Sequence, residues 1–163
     1  MKMSVKKTIA VVGATENRGT EIANYLADSN YRLLLISNDA ERLSYLSENI
    51  SLTSPNAEID TLECVKDGCW EADVIVLAVA CNEEKRVAEL MKEVATQKIV
   101  VSISDERNTN EELQRILPYS RLVKVSFAPH SKEMTISGND EGANAEIIEI
   151  FNNAGYMVNQ FTI

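Results

Sequence analysis

The sequence is poor in residues that mark special chemistry: of its 163 positions one is histidine, three are cysteine, three are proline and six are glycine. A single histidine, His130, excludes a histidine-based metal site and, having no obvious partner, a Ser-His-Asp triad. Cys64, Cys69 and Cys81 are odd in number and lack CxxC spacing. Neither a disulfide framework nor a zinc site follows, and they are expected to be reduced, mostly buried thiols. Scarce Pro and Gly, with 45% hydrophobic and 25% charged residues, exclude a fibrous or disordered chain. Long apolar runs are absent too, none approaching the ~18 residues of a membrane span. Lys2, Lys6 and Lys7 precede the apolar stretch 9–14, but Glu16, Asn17 and Arg18 end it too early for a signal peptide. The expected location is the cytoplasm. Basic surplus is also missing: 16 Lys and Arg against 25 Asp and Glu give a net charge of −9. Broad contact with nucleic acid or an anionic membrane is therefore not expected.

What is present is an alternation of short apolar runs and helical segments. The length suits one domain, residues 1–163, large enough for a sheet covered on both faces. Residues 7–12 (KTIAVV), 32–37 (RLLLIS), 73–80 (DVIVLAVA) and 98–104 (KIVVSIS) are β-branched, nearly continuous runs, the pattern of strands buried on both faces. Residues 58–63 alternate like an outer strand, and 122–128, 133–137 and 157–163 are the later strands. Helices are predicted over 20–29, 40–49, 66–71, 83–96, 110–117 and 142–154, the last closed by Gly155, with a loop over 51–56 around Pro55. This order predicts a Rossmann-type, doubly wound α/β fold. A mostly parallel sheet lies between two helical layers, with the first, fourth and fifth strands central and the ligand crevice at the strand C-termini.

The first strand-loop-helix carries the chemistry. Gly13-Ala14-Thr15-Glu16-Asn17-Arg18-Gly19 has the spacing of a GxxGxxG dinucleotide loop, in which glycines serve a tight turn, close approach to diphosphate and helix-strand packing. Gly13 and Gly19 can serve the first and last. Glu16 stands at the middle position, adding a side chain where phosphate must approach and negative charge at a helix N-terminus, where it could itself occupy the anion site. Arg18 is either a compensating cation or a solvated residue. After the second strand stand Ser37 and Asn38, with Arg42 nearby, where an NAD site presents Asp or Glu; small polar and basic residues there favour NADP, unless they simply cap the second helix.

TIAVVGATENRG, LLLISND, ADVIVLAV and KIVVSIS resemble the nicotinamide-binding domain of coenzyme F420-dependent NADP reductases. LVKVSFA and MTISGNDEGANAEIIEIFNNAGY extend the resemblance across nearly the whole chain. It implies that NADP, rather than NAD, is held by Gly13, Thr15, Asn17, Arg18 and Gly19, by Ser37, Asn38 and Arg42, and by Val79 and Ala80. It also implies a small-molecule substrate and a homodimer. Glu16 departs from the family's glycine. GAT is also similar to the opening of atypical short-chain dehydrogenases, but their Tyr-xxx-Lys pair is missing. Tyr25, Tyr31, Tyr45, Tyr119 and Tyr156 are followed four positions on by Ser29, Leu35, Asn49, Val123 and Gln160.

No catalytic residue is assigned from the sequence. His130, in a loop after a strand, is a general-acid candidate or an exposed loop residue. Asp105, Glu106 and Arg107 follow the fifth strand near the crevice, and Cys81 is placed for a ligand wall. Hydride transfer needs no protein acid or base. The leading expectation is thus an NADP-dependent oxidoreductase. The alternative is a non-catalytic Rossmann domain with lost or altered cofactor binding, acting as an interaction or regulatory module.

Overall fold

Every residue of β1 (Thr8–Val12), β4 (Val74–Leu77) and β5 (Ile99–Ile103) is buried. A strand hidden on both faces needs a helical layer on each side, and the rest of the chain supplies them. A computed structural model describes residues 6–103, 110–128 and 131–160, without the side chains of Cys81 and Asn110. The remaining strands are β2 (Arg32–Ile36), β3 (Glu58–Leu62), β6 (Arg121–Phe127), β7 (Glu133–Ser137) and β8 (Met157–Gln160). The helices are α1 (Asn17–Ala27), α2 (Ala40–Thr53), α3 (Val65–Glu71), α4 (Cys81–Met91), α5 (Asn110–Ile116) and α6 (Glu141–Asn153).

The sheet runs β3-β2-β1-β4-β5-β6-β7-β8, with β1, β4 and β5 central as the sequence predicts. All pairings are parallel except β6 with β7. Alternation along each strand splits the core in two. Ile9 and Val11 join Ile22 and Leu26 of α1, Leu43 and Ile50 of α2, and Ile147 and Phe151 of α6. Ala10 and Val12 join Cys69 of α3, Val87 and Met91 of α4, and Leu113 of α5. Each fully buried Leu, Ile or Phe contributes about 1.5–3 kcal/mol, so these two layers hold the sheet. Order changes direction between β1 and β4, so the ends of these two strands form the switch point where a doubly wound fold opens a crevice.

Three expectations need correction. Helix α2 runs through Thr53 rather than stopping at Asn49, because buried Ile50 continues the stripe begun by Leu43 and Leu46 and holds one further turn against the sheet. Helix α1 begins at Asn17, three residues earlier than expected, with Gly19 inside its first turn. Cys64 is exposed, lying before α3 at the β3 edge of the sheet, whereas Cys69 is buried and its thiol is pushed up to about 12 by that burial. His130, Asp105, Glu106, Arg107 and the Cys81 side chain lie outside the described residues.

Candidate functional site

The chain leaves β1 at Gly13, whose φ of +86° lies in the left-handed region that favours glycine. A Cβ there would stand 2.5 Å from the Ala78 carbonyl oxygen and 2.8 Å from Val79 Cγ1, so the turn is pressed against the end of β4. The N–H groups of Gly13 and Ala14 both donate to Ile36 O, at 3.0 and 3.1 Å, and Ala78 N–H donates to Val12 O at 2.8 Å. The ends of β1, β2 and β4 are thereby joined at one loop. Gly19 closes it: an added Cβ would lie 2.0 Å from Gly13 O. Thr20 adds a bond from Oγ1 to Ala14 O at 2.7 Å.

The first intrahelical bond runs from Thr20 N–H to Glu16 O, leaving the Asn17, Arg18 and Gly19 amides ahead of the helical ladder. These are the donors that an anion at a helix N-terminus uses. Glu16 is the N-cap, with φ −78° and ψ 160°. That is ordinary extended backbone, so the middle position makes no conformational demand for glycine. Its side chain is exposed and makes no capping bond, and no acidic residue follows in the first turn. The carboxylate therefore leaves the amides unoccupied.

At the end of β2, buried Ser37 shares a 2.7 Å hydroxyl-hydroxyl hydrogen bond with buried Thr15 and accepts from Asp39 N–H at 3.1 Å. Neither Ser37 nor Asn38 caps α2. Asp39 does, accepting from Arg42 N–H at 3.1 Å, and sequence reasoning passed over it. The Arg42 guanidinium donates from Nη2 to Thr15 O at 3.0 Å, bringing a cation to the loop between β1 and α1. Between α1 and α2, beside these groups, lies a cavity of about 510 Å³ lined by Thr15, Thr20, Asn24, Arg42, Tyr45 and Asn49, among others. That volume is within the range of small-molecule sites.

The fold thus gathers Gly13, Thr15, Gly19, Ser37, Arg42 and Val79, while Asn17, Asn38 and Ala80 stay exposed around them. Arg18 departs from this group: its guanidinium carbon lies 4.2 Å from the centre of the Phe127 ring, and Nη1 donates to Glu21 Oε2 at 3.3 Å.

A second buried polar element was also missed in the sequence. Glu84, 6% exposed in the first turn of α4, accepts a 2.7 Å hydrogen bond from Ser102 Oγ near the C-terminal end of β5. Burial pushes the Glu84 carboxyl up, while the Ser102 bond and the Lys124 charge pull it down less strongly. A pKa raised by folding means the protonated form is favoured in the native state. Its contribution to stability is complete below the unfolded value, about 4.3, and is lost as pH rises through the folded value. E84Q keeps an acceptor for Ser102 and removes the buried charge. It is expected to melt a few degrees above the parent at pH 7.5, the gap closing toward pH 4 in a series of thermal melts.

Residues 8–106 match the family model described as NADP oxidoreductase, coenzyme F420-dependent, and the chain belongs to this family. Comparison with curated proteins gave no match. Among solved structures the chain is similar to a pyrroline-5-carboxylate reductase from Coxiella burnetii (TM-score 0.75, 18% identity, covering 98% of this chain and 60% of that one). It is similar also to a Plasmodium falciparum pyrroline carboxylate reductase with NADP bound (0.72, 15%, 99% and 59%). A putative F420-dependent NADP-reductase from Arthrobacter sp. FB24 is covered further (0.73, 18%, 96% and 84%). The chain thus spans about three fifths of the two pyrroline carboxylate reductases. At these identities the likeness is one of fold, and it agrees with the doubly wound architecture.

Proposed function

We propose that residues 1–163 act as one NADP-binding domain of an oxidoreductase that orients the cofactor toward a small-molecule substrate. The observation that carries this reading is the N-terminus of α1: amides ahead of the helical ladder, glycines at both close approaches, and a Glu16 carboxylate that does not cap them. In this reading the Asn17, Arg18 and Gly19 amides receive the diphosphate. Asn38 and Arg42, beside the Thr15–Ser37 hydroxyl pair, receive the 2′-phosphate. Val79 and Ala80, after β4, form the wall toward the reactive end. When bound, the cofactor supplies the hydride, and the protein supplies binding and orientation. Family membership supports the cofactor class, and Arg42 over the loop supports NADP over NAD.

Isothermal titration tests the reading: NADPH is expected to bind more tightly than NADH, and no heat or thermal shift at millimolar cofactor overturns it. Arg42→Ala is expected to weaken NADPH about tenfold, the scale of a lost charge-assisted hydrogen bond, and to change NADH less than about twofold. Equal losses for both cofactors would place Arg42 away from the 2′-phosphate.

A further inference from the structure

Arg18 sits in the nucleotide loop's helix but spends its side chain elsewhere. It leans from the first turn of α1 to Phe127, the last residue of β6, on the face that α1 and α6 share. In the sheet β6 lies beyond β4 and β5 from β1, on the side opposite β2. Ser37 and Arg42 mark the β2 side as the place of the 2′-phosphate in the reading proposed above, on which this inference rests. The other end of a dinucleotide crossing the switch point then extends toward β4, β5 and β6. Arg18 is therefore on the side of the reacting group and its substrate.

The side chain is held there by an assembly of its own. Glu21 Oε2, which accepts from Arg18, also accepts from the Tyr156 hydroxyl at 3.2 Å. Tyr156 is buried and makes edge-on contacts with Tyr25, Phe127 and Phe151, at 5.1, 5.8 and 5.6 Å between ring centres. Glu21 of α1 and Phe127 of β6, both backed by Tyr156 between α6 and β8, thus fix one guanidinium. Its face lies on Phe127 and one N–H goes to Glu21. A guanidinium carries five N–H donors, and the others of Arg18 have no partner among the described residues. With the side chain 28% exposed, those donors can be reached from solvent. Lys132, whose ammonium lies 4.6 Å over the Tyr25 ring, places a second cation on the same aromatic cluster.

We infer that Arg18 is a specificity-determining residue that receives an oxyanionic group, carboxylate or phosphate, of the second substrate. A planar, preorganised guanidinium suits a two-oxygen acceptor, and its stack on Phe127 lowers the entropy lost on binding.

The test titrates malonate and inorganic phosphate, as probes of the two oxyanions, into the full chain saturated with NADPH, using the parent, Arg18→Met and Arg18→Lys. At least one probe is expected to bind the parent. Arg18→Met should weaken it tenfold or more, and Arg18→Lys severalfold, while NADPH affinity changes less than threefold and the melting temperature falls by no more than a few degrees, the scale of the lost contacts with Phe127 and Glu21. Whichever probe binds more tightly identifies the oxyanion. Equal probe binding by parent and Arg18→Met, no probe binding by the parent, or a tenfold loss of NADPH affinity in Arg18→Met each overturns the proposal. The last would assign Arg18 to the cofactor's phosphates. If the parent binds no NADPH, the same titrations are run on the protein alone. Anion binding that still depends on Arg18 then removes the cofactor reading and leaves Arg18 as an anion receptor, whereas anion binding indifferent to Arg18 removes both.

Discussion

Gly19→Ala is expected to destabilise the protein by about 3 kcal/mol, the upper end of the usual cost of overpacking, and to weaken NADPH binding tenfold or more. The new Cβ would stand 2.0 Å from Gly13 O and 2.8 Å from Gly13 C, so no rotamer relieves the clash. Gly13 has nowhere to retreat. Its N–H and that of Ala14 are bonded to Ile36 O, and even a Cβ added to it would stand 2.5 Å from the Ala78 carbonyl oxygen. The first turn of α1 must lift away from β1, carrying with it the amides assigned to the diphosphate. Urea unfolding reads the first effect and isothermal titration the second. Gly155→Ala is the control: its φ of +100° strains any side chain, but nothing lies within 4 Å of the new Cβ. Its cost should stay near 1–2 kcal/mol, with NADPH affinity unchanged. A Gly19→Ala protein as stable as the parent would show that the helix-strand approach at this loop is slack.

The parts of this architecture that could be read from sequence are those fixed by burial. β1, β4 and β5 lie under helices on both faces, so solvent allows them no polar alternation, and continuous apolar runs mark them. The turn from β1 into α1 was readable for a related reason. Gly13 and Gly19 answer to local backbone demands, a left-handed turn and a close approach, that a short stretch of sequence encodes. What was not readable depends on residues distant in the chain. Residues 51–53, whose one large apolar side chain, Leu52, is exposed, resemble a loop until buried Ile50 ties their turn to the sheet. The direction of Arg18 is decided by Phe127 and Tyr156, which only the assembled sheet brings to α1. The bond between Glu84 and Ser102 likewise joins α4 to β5, and no local pattern announces it. At the end of β2 the sequence pattern pointed to Ser37 and Asn38 as caps. Asp39 took the role, because Ser37 turns inward to Thr15.

Glu16→Gly is expected to tighten NADPH binding about tenfold, close to 1.4 kcal/mol, by removing both a like charge and a side chain from the approach to the α1 amides. Stability should change by less than about 0.5 kcal/mol, because glycine is an acceptable N-cap residue and Glu16 contributes no capping bond. Glu16→Gln separates the two causes, keeping the bulk and discarding the charge. If repulsion dominates, Gln recovers most of the gain and the difference from the parent shrinks as salt is raised. If bulk dominates, only Gly gains. The comparison also decides between the two functional readings of the chain. A parent that binds NADPH and a tighter Glu16→Gly describe a working site whose affinity is held down by its own carboxylate. A parent that binds nothing, beside a variant that binds, describes a domain in which one residue has closed the cofactor site, leaving the interaction role as its function. Equal affinities in parent, Gly and Gln would mean that the exposed carboxylate stays clear of the diphosphate altogether, and the departure from glycine at this position would then carry no consequence for binding.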